Sequence, residues 1–221
     1  MPIEEKTEAL YQYTKESLQK LKDAGVDVGM VQVGNETNGA MCGEHSSAVG
    51  GWKKITQLMN AGAKAVRDVC PNALVAIHFA NPEKTDNYES YGKNLSYYQV
   101  DYDVFASSYY PYWHGTLDNL ANVLSKIATT YNKKVMVAET AYTYTDGDTD
   151  FSGNSVSGGG GVTLDYPMTV QGQTNHVRNV VDTVVNDIHN GIGVFYWEGT
   201  WITVGTNSWE ENSALWEKHG A

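Results

Sequence analysis

Glu36 and Glu139 are the residues of this sequence placed to do chemistry. Glu36 stands in V-Q-V-G-N-E-T-N-G and Glu139 in V-M-V-A-E-T-A-Y, each just after a short, apolar, β-branched run. A carboxyl group at the end of a buried strand is held by rigid backbone, and two of them on neighbouring strands can flank a single bond of a substrate. Hydrolysis of a glycosidic linkage needs such a pair. One carboxyl protonates the leaving oxygen while the other attacks the anomeric carbon or activates water. Carboxyls about 5–5.5 Å apart give retention of configuration, and about 6.5–9.5 Å gives inversion. One glutamate at a strand end is more often a solvated or capping side chain. The weight falls on the pair, one member preceded by Asn35 and the other followed by Tyr142 and Tyr144.

The elements that must position this pair follow from periodicity. Thr7 to Ala24 reads as a helix with Leu10, Leu18 and Leu21 inward and Gly25 as its C-terminal glycine. Trp52, Ile55, Met59, Gly62, Val66 and Val69 define one face of a second helix that stops before Pro71. This stripe makes Trp52 a core residue rather than a ligand contact. Further helices are expected around Asp86 to Tyr98, over Leu117 to Tyr131 and over Val170 to Ile188. Between them lie five short apolar runs: Met30–Val33, Leu74–Phe79, Tyr102–Ser107, Lys134–Ala138 and Ile192–Trp197. Strands alternating with helices predict βα units on a parallel sheet.

An open doubly wound sheet and an eight-stranded barrel both accommodate five such units. The strand ends separate them. They read G-N-E-T-N-G, H-F-A-N-P, S-S-Y-Y-P-Y-W-H-G, E-T-A-Y-T-Y and W-E-G-T-W, functional groups that a (β/α)₈ barrel gathers on one face. A nucleotide-binding glycine loop is absent from the sequence. The fold class is therefore α/β, a (β/α)₈ TIM barrel in which 1–221 forms a partial catalytic domain. A whole barrel takes about 250 residues, so strands four to eight are expected here, with strands one to three missing. A piece of this kind leaves two sheet edges without partners.

Composition narrows the partners. A net charge of −11 with no basic cluster argues against nucleic acid, and no apolar run is long enough to span a bilayer. Fifteen Tyr and six Trp beside four Phe favour wet, polar ligands, since both side chains combine a flat apolar face with a polar handle. Cys42 and Cys70 form neither a zinc motif nor a disulfide framework, and the charged first residues read as no secretory signal.

Taken together, G-N-E-T-N-G, S-Y-Y-P-Y-W-H-G-T-L, V-A-E-T-A-Y and G-V-F-Y-W-E-G-T-W resemble glycoside hydrolase family 53, the arabinogalactan endo-β-1,4-galactanases, from about Tyr11 to Trp216. The resemblance implies a retaining (β/α)₈ glycosidase with Glu36 as acid/base and Glu139 as nucleophile, the residues already singled out by position. It implies that Asn35 binds the sugar 2-hydroxyl, and that Tyr110 or Tyr109 hydrogen-bonds the nucleophile. Trp113, Trp197 and Trp201 become sugar platforms, and His78 and His114 hydroxyl-binding groups at the rim. The bland readings are packing for the tyrosines and a structural role for His78.

Asp146, Asp148 and Asp150 alternate in a long loop and present hard oxygen ligands of the kind calcium takes, without the terminal Glu of an EF-hand. The resemblance adds Ser208 and Glu211 as partner ligands to a structural Ca²⁺, with no cofactor needed for catalysis. It also implies a secreted or cell-surface protein whose substrate is β-1,4-galactan or arabinogalactan. This sequence has Y-W-E-G-T-W where the family commonly has Y-W-E-P-A-W, and it lacks an arginine and other sugar contacts from strands one to three. Two other readings stay open: a related retaining barrel glycosidase acting on mannan, xylan or glucan, and an inactive fragment that only binds oligosaccharide.

Overall fold

A computed structural model describes residues 1–147 and 164–199. Helix α1 (Ile3–Asp23) leads into strand β1 (Met30–Gln32), followed by a small hairpin of β2 (Ala40–Met41) and β3 (Glu44–His45). Then come α2 (Gly51–Val69), β4 (Leu74–Phe79), α3 (Thr85–Tyr97), β5 (Val104–Ser108), α4 (Leu117–Tyr131) and β6 (Lys134–Thr140). Helix α5 (Val170–Asp182), a π-helical turn (Thr183–Asp187) and β7 (Gly191–Tyr196) follow. The five strands expected from sequence form one sheet in the order β1-β4-β5-β6-β7, with every pairing parallel. Chain order equals spatial order, which is how a (β/α)₈ barrel is wound.

The two faces of this sheet separate by strand alternation. Val75, Ile77, Phe79, Phe105, Val135 and Val137 join the helices in one large apolar core. Ala76, Val104, Ala106 and Met136 form a second, smaller cluster, the beginning of a barrel interior. The next residues along that second face at the strand ends are His78 after Ala76 and Ser108 after Ala106. Sequence alternation thus already decides that an imidazole and a hydroxyl stand above the barrel core.

Helix α2 is the stripe predicted, with Ile55, Met59, Gly62, Val66 and Val69 buried. Gly62 is needed for close approach to β1, because a Cβ there would sit 2.5 Å from Val33 Cγ1. Trp52 is half-buried at the rim of the core, its ring 5.8 Å from that of Tyr91. Gly25 closes α1 at φ +80° as expected, with Val26 N–H donating to Leu21 O. Leu21 itself is a correction: it is exposed, and only Leu18 of the predicted trio is fully buried. The hairpin and the π turn are not legible in the sequence. Strands of two residues are too short to show a period, and the turn continues the pattern of α5.

Candidate active site

Backbone geometry delivers Glu36. The chain leaves β1 through Gly34 at φ +81° and enters Glu36 at φ +46°, a left-handed conformation uncommon for a residue with a Cβ and typical of sites held by their surroundings. A side chain on Gly34 would meet Thr37 Cγ2 at 2.7 Å, so glycine is required. Thr37 is the anchor. Its N–H and its hydroxyl both donate to His78 O, at 2.8 and 2.9 Å, tying the turn to the end of β4. Asn38 adds a brace by accepting from Ala80 N–H at 2.7 Å and donating to Asn81 Oδ1 at 3.0 Å.

Glu139 lies within β6, and a register shift between Ser107 and Ser108 brings it opposite Ser108. Such an irregularity re-aims side chains at a strand end. Tyr110 hydroxyl donates to Glu139 Oε2 at 3.1 Å. Tyr109 has no part in this contact, because it is buried and its hydroxyl donates to Gly115 O. His114 is also turned inward, with Nδ1 accepting from Tyr110 N–H at 3.1 Å, so it braces the tyrosine loop rather than standing at the rim.

The two glutamates come together across β4 and β5. Glu36, His78 and Glu139 each bring one polar atom into a group whose members all lie within 4.8 Å of one another. Such a trio could also hold a cation, but both nitrogens of its histidine are already engaged. His78 Nδ1 lies 3.0 Å from Asn35 Oδ1, and Nε2 lies 2.9 Å from Ser108 Oγ. Ser108 hydroxyl donates to Glu36 Oε1 at 2.6 Å. The cluster is wired for handling protons.

Electrostatics follow from burial. Desolvation raises the Glu139 carboxyl above the usual glutamate range, and Glu36 and Glu198 add to the rise; the Tyr110 hydrogen bond opposes it. Burial drives His78 down to about 4 against a smaller opposite pull from Glu36, so the ring is neutral near pH 7. Burial also raises the Tyr110 phenol, keeping it a hydrogen-bond donor.

Ser108 and Glu198 are site residues that sequence reasoning misses. Ser108 stands in S-S-Y-Y-P-Y, and its alternation with Ala106 and Val104 is the signal that could have found it. Trp113 and Trp197 are exposed at 47% and 49%, open to a ligand on the strand-end side. Tyr110 and Trp113 lie 5.3 Å apart between ring centres, which joins one aromatic surface to the Glu139 partner. Asp146 is exposed, whereas Asp148, Asp150, Trp201, Ser208 and Glu211 lie outside the described residues.

The Glycosyl hydrolase family 53 model matches residues 1–220. The chain belongs to glycosyl hydrolase family 53. A Bacillus subtilis (strain 168) protein named endo-beta-1,4-galactanase is 53% identical over 100% of the chain and 50% of its own length. The arabinogalactan endo-beta-1,4-galactanase of Cellvibrio japonicus (strain Ueda107) is 33% identical over 96% of the chain and 57% of its length. Among solved structures, the Ignisphaera aggregans GH53 catalytic domain superposes with a TM-score of 0.84 at 34% identity, covering 95% of this chain and 58% of that one. The chain thus spans about half the length of the curated family 53 relatives it matches. Its five parallel strands are the corresponding part of the family's (β/α)₈ barrel, and no helix among the described residues is long and apolar enough to cross a membrane.

The buried histidines are expected to make this family 53 chain acid-sensitive. His78, His114 and His176 are each held near 4 by burial, below the ordinary 6.5; Lys84 adds to the depression at His114. As pH falls through 6.5 the unfolded chain binds these protons and the folded chain resists them. Stability is therefore fully present above about pH 6.5 and lost towards pH 4, by on the order of 3 kcal/mol per histidine. Glu139, being raised, acts in the opposite sense but is one group against three. Urea melts at pH 7 and 5 should show a marked loss at pH 5. His176→Phe should reduce that loss, since the ring is stacked on Tyr142 and its Nε2 has no hydrogen-bond partner. Equal stability at the two pH values would refute the assignment.

Proposed function

We propose that this chain supplies the catalytic face of an endo-acting, retaining β-1,4-galactanase, with Glu36 as acid/base and Glu139 as nucleophile. The observation that carries the reading is the meeting of these two carboxyls, far apart in sequence, within 4.8 Å across the ends of parallel strands. That spacing leaves no room for a water molecule between a sugar and an inverting base, and it suits direct attack. Family membership and the galactanase names of its relatives favour galactan over other polymers.

The roles follow the family resemblance, and the Tyr110 hydrogen bond favours the ionised form of Glu139 against the rise that burial gives it. Glu139, ionised and oriented by Tyr110, attacks the anomeric carbon as Glu36 gives its proton to the departing glycosidic oxygen; the C–O bond breaks and a galactosyl ester of Glu139 forms. Glu36, now a carboxylate, takes a proton from water as that water displaces Glu139, restoring both groups. Asn35 next to the acid/base binds the 2-hydroxyl, and Trp113 and Trp197, joined by Trp201, offer indole faces to the C–H face of galactose. His78 serves this site through its partners.

The finer substrate is arabinogalactan or the galactan side chains of pectin, met outside the cell. No cofactor enters the chemistry. A structural Ca²⁺ is supported by the oxygen-rich alternation of Asp146, Asp148 and Asp150, with Ser208 and Glu211 as further ligands. A second reading, an oligosaccharide-binding piece without turnover, is favoured by the chain's covering only about half of its relatives.

Reducing-sugar release from β-1,4-galactan, mannan, xylan and β-glucan separates these readings. The assay is run on the 221-residue chain and on a polypeptide extended to the relatives' length. Galactan is expected to be the polymer cleaved. Faster release from another polymer by the extended protein would overturn the substrate assignment, and turnover confined to the extended protein would make the shorter chain a part of the catalyst.

A further inference from the structure

Ser108 has one hydroxyl hydrogen and two neighbours that could take it. Glu36 Oε1 lies 2.6 Å from its oxygen and His78 Nε2 lies 2.9 Å away. A hydroxyl bonded to an ionised carboxylate characteristically sits about 2.5–2.7 Å from it, so the shorter contact is where the hydrogen belongs. Nε2 must then be the donor to Ser108 Oγ. A neutral imidazole carries one proton, and burial keeps this ring neutral by holding it near 4. Nδ1 is accordingly bare, which agrees with Glu36 N–H pointing at it from 3.4 Å.

The remaining contact, Nδ1 with Asn35 Oδ1 at 3.0 Å, requires the Asn35 amide to present its NH₂ end instead. The two ends of an amide have the same size and shape, and the exchange gives up the bond that Gln32 Nε2 donates to Asn35 Oδ1, a loss the exposed Gln32 side chain meets by shifting from Asn35 while still donating to Gly34 O. The opposite arrangement, a proton on Nδ1, would draw the Ser108 hydrogen to Nε2 and strip Glu36 Oε1 of its donor.

The geometry points to His78 and Ser108 as positioning residues for Glu36: His78 donates from Nε2 to Ser108, Ser108 donates to Glu36 Oε1, and the carboxyl proton is thereby confined to Oε2. The inference rests on the reading of Glu36 as acid/base. It adds that the proton is kept on a single oxygen by a relay reaching back into the barrel core. The sheet builds the relay, because strand alternation puts both residues on the same face of β4 and β5. Tyr88 from α3 supports it from behind through Ser107, 2.6 Å away, whose hydroxyl bonds Ser108 O. Among the described residues, the other ionisable groups facing the cluster are Glu139, Tyr110 and Glu198.

The test has one arm without turnover and one with it. In the 221-residue chain labelled with ¹⁵N-histidine, His78 at pH 7 should show a protonated-type Nε2 and a bare-type Nδ1; the reversed pattern overturns the relay whatever the protein's activity. In the extended protein, Ser108→Ala removes a hydrogen bond that favours the ionised acid/base. The alkaline limb of kcat/KM against pH should move up by about one unit, as expected for losing a charge-assisted bond. His78→Gln offers an N–H at similar reach and should hold the limb in place, whereas His78→Leu should move it in the same direction as Ser108→Ala but by less, since Ser108 keeps its bond to Glu36 and loses only the donor behind it. Variants that lose rate with an unmoved limb would reduce both residues to packing. Failure of the Glu36 assignment would appear separately, as retained activity in Glu36→Gln.

Discussion

Glu139→Ala in a polypeptide of the relatives' full length is expected to lose on the order of 10⁴-fold or more in kcat on galactan, the scale of loss when a covalent catalyst is removed. In the proposed mechanism the methyl group leaves a space on the far side of the anomeric carbon, and among the described residues no neighbour is placed to fill the role. Tyr110 is held as a neutral phenol by its burial, and Glu36 in its proposed role serves the leaving oxygen. Azide is small enough to enter that space and attack directly. It should restore turnover and give a galactosyl azide of inverted configuration, because one displacement then replaces two. Normal activity, or rescue with retained configuration, would remove Glu139 from the nucleophile's role.

Glu36→Ala should cost about 10²–10⁴-fold on galactan, the usual worth of a positioned general acid. This loss depends on the substrate, and that dependence is diagnostic. A sugar leaving group needs a proton as the bond breaks, while an activated phenol departs without one. For an aryl β-galactobioside the first step should therefore be nearly normal and the second, which needs a base to deprotonate water, should become limiting. A burst of phenol followed by slow release is expected. Equal losses on galactan and on the aryl substrate would argue for a structural collapse at Glu36 rather than lost acid catalysis.

The framework is readable in the sequence because the apolar residues have only one arrangement open to them. Continuous apolar runs such as L-V-A-I-H-F must be buried on both faces, and the stripe from Ile55 to Val69 must face a sheet; these strands and this helix appear as expected. Glu36 and Glu139 can be picked out because they end those runs. What the pattern cannot supply is the direction of a side chain after its strand stops. Tyr109 and Tyr110 are adjacent and identical in type, yet one is packed in the core and the other reaches Glu139, a choice made by the bulge between β5 and β6. His114 reads as a rim residue until the tight turn beyond Tyr110 folds it inward. Ser108 draws no notice because serine is common in loops, and its importance depends on two partners supplied by other strands.

The brace between Thr37 and the carbonyl of His78, with Asn38 bridging to Ala80 and Asn81, has a practical consequence for engineering. The segments following β1 and β4 behave as a single cross-linked cassette. A chimera with its crossover between residues 40 and 74 would combine Thr37 and Asn38 of one parent with the β4 terminus of the other, and would inherit a mismatched seam. Exchanging both stretches from one donor would transplant Glu36, His78 and their shared scaffold as one unit, leaving the Glu139 side of the site to be varied on its own.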